Sequence, residues 1–302
     1  MLPVSSRAKG RGFALDIRSI VMGLAFVLMW SSAFTSARII VQNAPPLTVS
    51  AIRFLIAGTI VLIIARALGQ SLRLTSAQWR LTFIFGICQN TLYLGLNFIA
   101  MQTVEASLAA IIAASLPLWV ALASWLIWGE KVGALGAAGL VAGVLGVALI
   151  MGTRLTGGVD PMGVLLCFLG ALALTFATLV VRGASAGGNM VAVVGWQMLI
   201  GGAALIIPAA FETHIFNWTP AVVAAFAYTI FVPGIIATLV WFSLVNRIGS
   251  TRAATFHFLN PFFGVAIAAV LLNEAIGPLD ILGVVIITLG ILAVQVSRVK
   301  PG

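Results

Sequence analysis

AAIIAASLPLWVALASWLIWGEKVGALGAAGLVAGVLG, residues 109–146, and AATFHFLNPFFGVAIAAVLLNEAIGPLDILGVVIITLG, residues 253–290, decide how this chain is organised. Laid over one another without a gap, they bring Pro117 onto Pro261, Glu130 onto Glu274, Gly139 onto Gly283 and Gly146 onto Gly290, each pair 144 residues apart. Matches among Ala, Leu or Val say little in so apolar a chain, but proline and glutamate are rare in it. The offset also carries Asp16 onto Asp160, Arg38 onto Arg182 and Phe98 onto Phe242. The chain reads as a duplication, with units at 1–157 and 158–302.

Composition sets the medium. Of 302 residues, 62% are hydrophobic and 8% charged, against about a quarter charged in a soluble domain. At about 20 apolar residues per span, the apolar runs and their short polar breaks predict ten helices. They fall near 17–41, 47–67, 78–99, 105–127 and 132–151, then 160–181, 189–210, 219–244, 250–271 and 278–298. The fold class is an all-α membrane protein with no separate soluble domain. The net charge of +9 is spread over short inter-helix segments, so nucleic acid is not an expected partner; the lipid bilayer is. Cys88 and Cys167 sit inside apolar runs as packing or lipid-facing residues, with no metal-ligand spacing, and no cofactor is expected. The basic start resembles a signal peptide, but the run from Ile17 to Val41 is longer than a signal core, and the repeat needs it as a helix.

Cations fix the orientation, because Lys and Arg stay on the cytoplasmic side. One side collects Arg7, Lys9, Arg11, Arg18, Arg66, Arg73, Arg80, Lys131, Arg182, Arg247, Arg252, Arg298 and Lys300. The other has Arg38 and Arg154 among Glu105, Asp160, Glu212, Glu274 and Asp280. Both termini are therefore expected in the cytoplasm. Five helices per unit is an odd number, so the second unit enters the membrane inverted. Inverted repeats exchange conformations to open a site alternately to either side, which favours a transporter over a structural membrane protein.

Polar groups inside the hydrocarbon are costly and so mark partners or wet cavities. Asn90, Tyr93 and Asn97 fall at i, i+3 and i+7 on one face of the third helix, beside Gln89; as a structural alternative they are inter-helix hydrogen-bond glue. His257 and Asn260 share a face of the ninth helix just before Pro261. Pro117 and Pro261 are expected as bending points of two gating helices, with Pro233 breaking the eighth in the same manner. Trp30, Phe34, Tyr93, Trp119, Trp196 and Trp241 are candidates to stack on a solute, whereas Trp79, Trp125, Trp128 and Trp218, near helix ends, read as interfacial anchors. Trp30 sits near mid-helix beside Ser31 and Ser32. Arg53 is the one cation well away from helix ends, read chiefly as packing or snorkelling and otherwise as a partner for an anionic group. No carboxylate lies near a helix centre, which disfavours acid-driven proton exchange. His257 is the one intramembrane group with an ordinary pKa near neutrality, read first as a hydrogen-bonded structural residue. Zinc-protease, nucleophile-elbow and paired-acid patterns are missing from the sequence, so an enzyme is not expected.

Trp30-Ser31-Ser32-Ala33-Phe34, Arg53-Phe54, Ala106 to Glu130 around Pro117, and the second-copy series Ala253, Pro261, Glu274 and Gly290 resemble the EamA-type branch of the drug/metabolite transporter superfamily over nearly the whole chain. That resemblance implies ten helices in two inverted five-helix repeats, cytoplasmic termini, a central cavity and an inner-membrane exporter, most similar to bacterial aromatic amino acid exporters. Trp30-Ser31-Ser32 departs from the family's Trp-Gly-Ser, and Trp196-Gln197 stands where the first copy has Ile52-Arg53, so the halves present different groups to the cavity. The expected function is export of small solutes, amino acids foremost, by alternating access. Trp30, Ser31, Gln89, Asn90, Tyr93, Asn97, Trp119, Trp196, Gln197, Trp241, His257 and Asn260 are the expected binding residues, with Pro117, Pro233 and Pro261 as hinges. Export of another metabolite or drug, and passive facilitation, are the alternatives. A small-molecule substrate is the expected partner; a monomer would suffice, and the oligomeric state is open.

Overall fold

The structure is a computed structural model that describes residues 16–129, 133–180, 188–249, 253 and 256–298. Glu130, Lys131, Arg182, Arg252, Lys300 and the cations before Asp16 lie outside the described residues. Among the described residues all regular structure is helical: α1 (Ile17–Val41), α2 (Pro46–Ala67), α3 (Ser76–Ala100), α4 (Ala106–Ile127), α5 (Ala134–Thr156), α6 (Pro161–Val180), α7 (Met190–Ala209), α8 (Pro220–Ile248), α9 (Phe256–Leu272) and α10 (Pro278–Arg298). Nine of these are long and apolar enough to cross a membrane, and the described part of α9 is a shorter apolar helix.

Local chemistry sets the boundaries. Proline opens α2, α6, α8 and α10, at the helix position where its missing N–H leaves no bond unmade. Thr75 and Gln78 form a reciprocal capping box at the start of α3, satisfying two N–H groups that the helix itself cannot. Gly129 and Asn273 take left-handed φ values of 61° and 54° to terminate α4 and α9. Both stops, like the starts at 17 and 161, 46 and 190, 76 and 220, and 134 and 278, are 144 residues apart.

The offset persists inside the helices. A π-helical stretch begins at Gly86 in α3 and another at Ile230 in α8. Helix α4 is interrupted at Ser115 and resumes at Leu116, and α9 turns from a 3₁₀ start to α-helix at Asn260. Pro117 and Pro261 thus each follow a local break, as a ring that clashes with the preceding turn requires. Pro233 differs from the expectation: α8 continues through it, because the wider π turn accommodates the residue without an amide donor.

Packing follows the same rule. Helix α2 lies on α7 and α5 on α10; α1 lies on α8 and α9 as α6 lies on α3 and α4; and α4 meets α9. Hydrocarbon supplies no hydrophobic drive between helices, so close contact needs small residues. A Cβ on Gly290 would sit 2.7 Å from the Gly139 carbonyl oxygen, and one on Gly139 2.7 Å from that of Gly290. On the other paired interface a Cβ at Gly58 would lie 2.9 Å from the Gly195 carbonyl oxygen.

Gly290→Ala is therefore expected to destabilise the protein by about 1–3 kcal/mol, since backbone cannot move aside as a side chain can. Gly152→Ala, in open space on the same helix pair, should be neutral or stabilising by up to about 1 kcal/mol. Thermal unfolding of both variants in detergent checks the contrast.

Candidate functional site

Five of the expected binding residues meet where α1, α8 and α9 cross. Phe26 stands at the centre, its ring centroid 4.7 Å from Trp241, 5.2 Å edge-on from His257 and 5.7 Å from Trp30. Trp241 and His257 lie 5.0 Å apart. The Asn260 amide donates to His257 Nδ1 at 2.9 Å, which leaves the neutral ring's proton on Nε2. Ser31 Oγ lies 3.4 Å from the Asn260 carbonyl oxygen and 3.5 Å from its Oδ1. The polar edge continues along α1, where Ser32 shares a 2.7 Å bond with the Tyr228 hydroxyl and Ser36 accepts from Thr229 at 2.8 Å. Phe26 and Tyr228 escaped the sequence reading; the rarity of tyrosine, two in the chain, was the available signal for the second.

The symmetric crossing, where α6 meets α3 and α4, is built differently. Phe26 corresponds to Gly170, Trp241 to Asn97, Trp30 to Leu174, His257 to Ala113 and Asn260 to Leu116. One crossing holds a tryptophan against a phenylalanine; the other holds the Asn97 amide against Gly170, where a Cβ would meet Nδ2 at 2.9 Å. Asn97 Nδ2 donates to the Tyr93 carbonyl at 2.7 Å, and its Oδ1 is buried without a partner.

Asn90, Tyr93 and Asn97 do not share one face as expected. Asn90 packs on Gly201 of α7, whereas the Tyr93 backbone and Asn97 amide lie against Gly170 of α6. The intervening π turn shifts the helical phase between them. Gln89 is half-buried on that turn, and Gln197 is buried on α7, its backbone 2.8 Å from where Gly86 would carry a Cβ. Trp119 donates from Nε1 to Ser115 Oγ at 2.9 Å and stands edge-on to Phe168, beside an apolar cavity of about 210 Å³ between α4, α5 and α6. Trp196 is not with the others: its Nε1 bonds the Leu72 carbonyl at 3.0 Å and its ring lies 5.1 Å from Trp79, at the α2–α3 turn.

The two ends are fastened by carboxylates. At the end where α1 finishes, Glu274 accepts from the Ala106 and Ser107 amides at 2.8 and 2.9 Å, capping α4. Arg154 joins Glu105 at 2.5 Å and Asp280 at 2.9 Å, and Arg38 bonds the Met101 carbonyl. A vestibule of about 620 Å³ bordered by Arg38, Gln42, Glu105 and Glu274 opens there. Glu212 caps α2 at this end, and Gln70 caps α7 at the other. Asp160 accepts from Thr103 and from two backbone amides, bonds that hold its carboxyl below the usual range. At the opposite end Asp16 pairs with Arg247 and Ser19, which lowers its pKa to about 2. Among the described residues no three His, Cys, Asp or Glu gather as a metal site would need.

Comparison with known proteins agrees with this architecture. The model of the EamA-like transporter family matches twice, over residues 17–152 and 161–295. The chain is 28% identical over 256 residues to the uncharacterized transporter YvbV of Bacillus subtilis (strain 168), covering 83% of each. It is 24% identical over 283 residues to the uncharacterized inner membrane transporter YedA of Escherichia coli (strain K12), covering 91% of this chain and 89% of that one. A solved structure described as a crystal structure of protein superposes with a TM-score of 0.67 at 22% identity, over 94% of this chain and 99% of the other; that likeness speaks for the fold alone.

Glu274→Ala should lower stability in detergent by about 1–3 kcal/mol, because two amides lose a charge-assisted partner, and Glu274→Gln by less. Arg247→Gln should return the Asp16 carboxyl from about 2 toward its ordinary 3.8, followed by carboxyl-carbon NMR. A depressed folded-state pKa stabilises above the unfolded value, so this pair's contribution is lost as the pH falls from near 4 toward 2.

Proposed function

The chain belongs to the EamA-like transporter family, and on that premise we propose that it exports small solutes, amino acids of the aromatic or another neutral kind foremost, across the bacterial inner membrane by alternating access. Transport of small solutes by a multi-pass membrane protein follows from the family. Substrate, direction and mechanism are the added reading.

The observation that carries it is the Phe26, Trp30, Trp241, His257, Asn260 and Ser31 cluster, aromatic faces ringed by amide and hydroxyl groups at the crossing of three helices. Such a surface suits a flat apolar side chain together with a polar head. Tyr93, Asn97 and Trp119 would serve from the crossing of α6 with α3 and α4, and Asn90 and Gln197 from the contact of α3 with α7, with Pro117 and Pro261 at the bending points. Trp196, seated at a helix end, would act as an anchor or shape the rim.

Alternating access draws support from the antiparallel copies. Units 1–157 and 158–302 would be inverted five-helix repeats, both termini cytoplasmic. The first part of α4, Ala106–Ala114, packs on α9, while the part from Leu116 onward packs on α5, α6 and α10. The two helices thus meet near the Glu274 cap and part beyond Ser115 and Asn260. This arrangement suits one of the two gates that alternating access requires, at the end where the vestibule lies.

The test is uptake of radiolabelled amino acids into proteoliposomes of the purified protein, with and without a pH gradient. Saturable uptake and counterflow of one amino acid class are expected, and Trp241→Ala should reduce them roughly tenfold, the weight of one aromatic pair, with its elution profile unchanged. Linear, non-saturating flux without counterflow would make the protein a passive facilitator. No flux of any amino acid would refute the amino acid assignment.

A further inference from the structure

Arg53 is the eighth residue of α2, about 10 Å along the helix in a bilayer core about 30 Å thick. It is 7% exposed. Its guanidinium carbon lies 4.1 Å from the centroid of the Phe54 ring and 4.4 Å from that of Phe98. Nε and Nη2 are buried and make no hydrogen bond. Nε and Nη2 form the edge that binds a carboxylate through two parallel bonds, and in Arg53 that edge is unpartnered.

The protein supplies no such carboxylate among its described residues. Asp16 is engaged by Arg247, Glu105 and Asp280 by Arg154, Asp160 by Thr103, Glu212 by the start of α2, and Glu274 by the start of α4. Six of the chain's seven acids are thus committed at helix ends, and Glu130 lies outside the described residues. A buried cation without a counter-charge costs several kcal/mol, and an arginine does not escape by losing its proton. Its offset partner is Gln197, equally buried and uncharged, so the charge belongs to one half only. Polar company is at hand: adjacent glycines of α7 seat Asn90 at Gly201 and Phe54 at Gly202, and Asn90 Oδ1 is likewise buried without a partner.

We propose that Arg53, beside the Phe54 and Phe98 rings, is the binding site for the carboxylate of the transported solute, its unpartnered Nε and Nη2 edge taking the anion in two parallel hydrogen bonds. This rests on the amino acid export reading and names the part of the solute recognised. The substrate class narrows to compounds bearing one free carboxylate, and the same compound with that group amidated is excluded.

The experiment compares uptake of L-phenylalanine and L-phenylalaninamide by wild-type proteoliposomes and by Arg53→Gln and Arg53→Lys. Wild type is expected to take up the acid and discriminate against the amide. Arg53→Gln should raise the half-saturation for the acid roughly 10- to 100-fold, the range for hydrogen bonds to a charged group. Arg53→Lys, which keeps the charge but loses the fork, should fall between. Wild-type uptake of the amide as readily as the acid would overturn the proposal with no variant needed, and so would unchanged acid uptake by a folded Arg53→Gln. Uptake of the amide alone would sink the carboxylate site yet leave a transporter standing. Uptake of neither would remove the aromatic amino acid reading itself, and the proposal with it.

Discussion

Backbone touches backbone where α5 meets α10 and where α2 meets α7, and the rest of the architecture hangs on those two approaches. In water, burial of apolar side chains would hold the helices together; in lipid the surroundings are as apolar as the side chains, so association falls to close packing and to polar ties. The glycines at 139, 146, 283 and 290 allow that packing on one interface, and those at 58, 195 and 202 on the other. Each interface joins a helix to its own copy. The pair of interfaces therefore fixes an approximate two-fold relation between the halves, and with it the positions of the six helices that cross between them.

Within that frame the halves have gone separate ways at corresponding places. The crossing of α1, α8 and α9 holds Trp241 against Phe26; the matching crossing of α6, α3 and α4 holds Asn97 against Gly170. The same division holds for charge, with Arg53 on α2 where α7 has the uncharged Gln197. A scaffold with symmetric mechanics and asymmetric lining can grip one end of an asymmetric molecule while presenting different chemistry to the other end.

Helix starts were legible because they depend on local chemistry: prolines at first positions, a threonine–glutamine capping box, and an ungapped offset that lets either copy correct the other. His257 and Asn260 were legible as neighbours because they stand three positions apart on a helix. What could not be read depends on how helices turn toward each other. Trp196 carries the same ring as Trp241, yet only packing tells that one lies at a turn beside Trp79 and the other in the aromatic cluster. The partners of Glu212 and Glu274 were equally hidden, since each caps a helix more than 160 residues away in sequence.

The π stretches at Gly86 and Ile230 act as dislocations in otherwise regular screws. One extra residue in a turn rotates everything beyond it by about 100° relative to an unbroken helix, so a side of α3 presented before the slip is turned away after it. A helical wheel drawn through residues 76–100 as one regular helix therefore misplaces the residues beyond the slip. Because the slip recurs at the same place in α8, the error is made twice in the same sense and the two helices remain congruent. A defect that would ruin the fit of a single helix is, when copied, invisible to the symmetry.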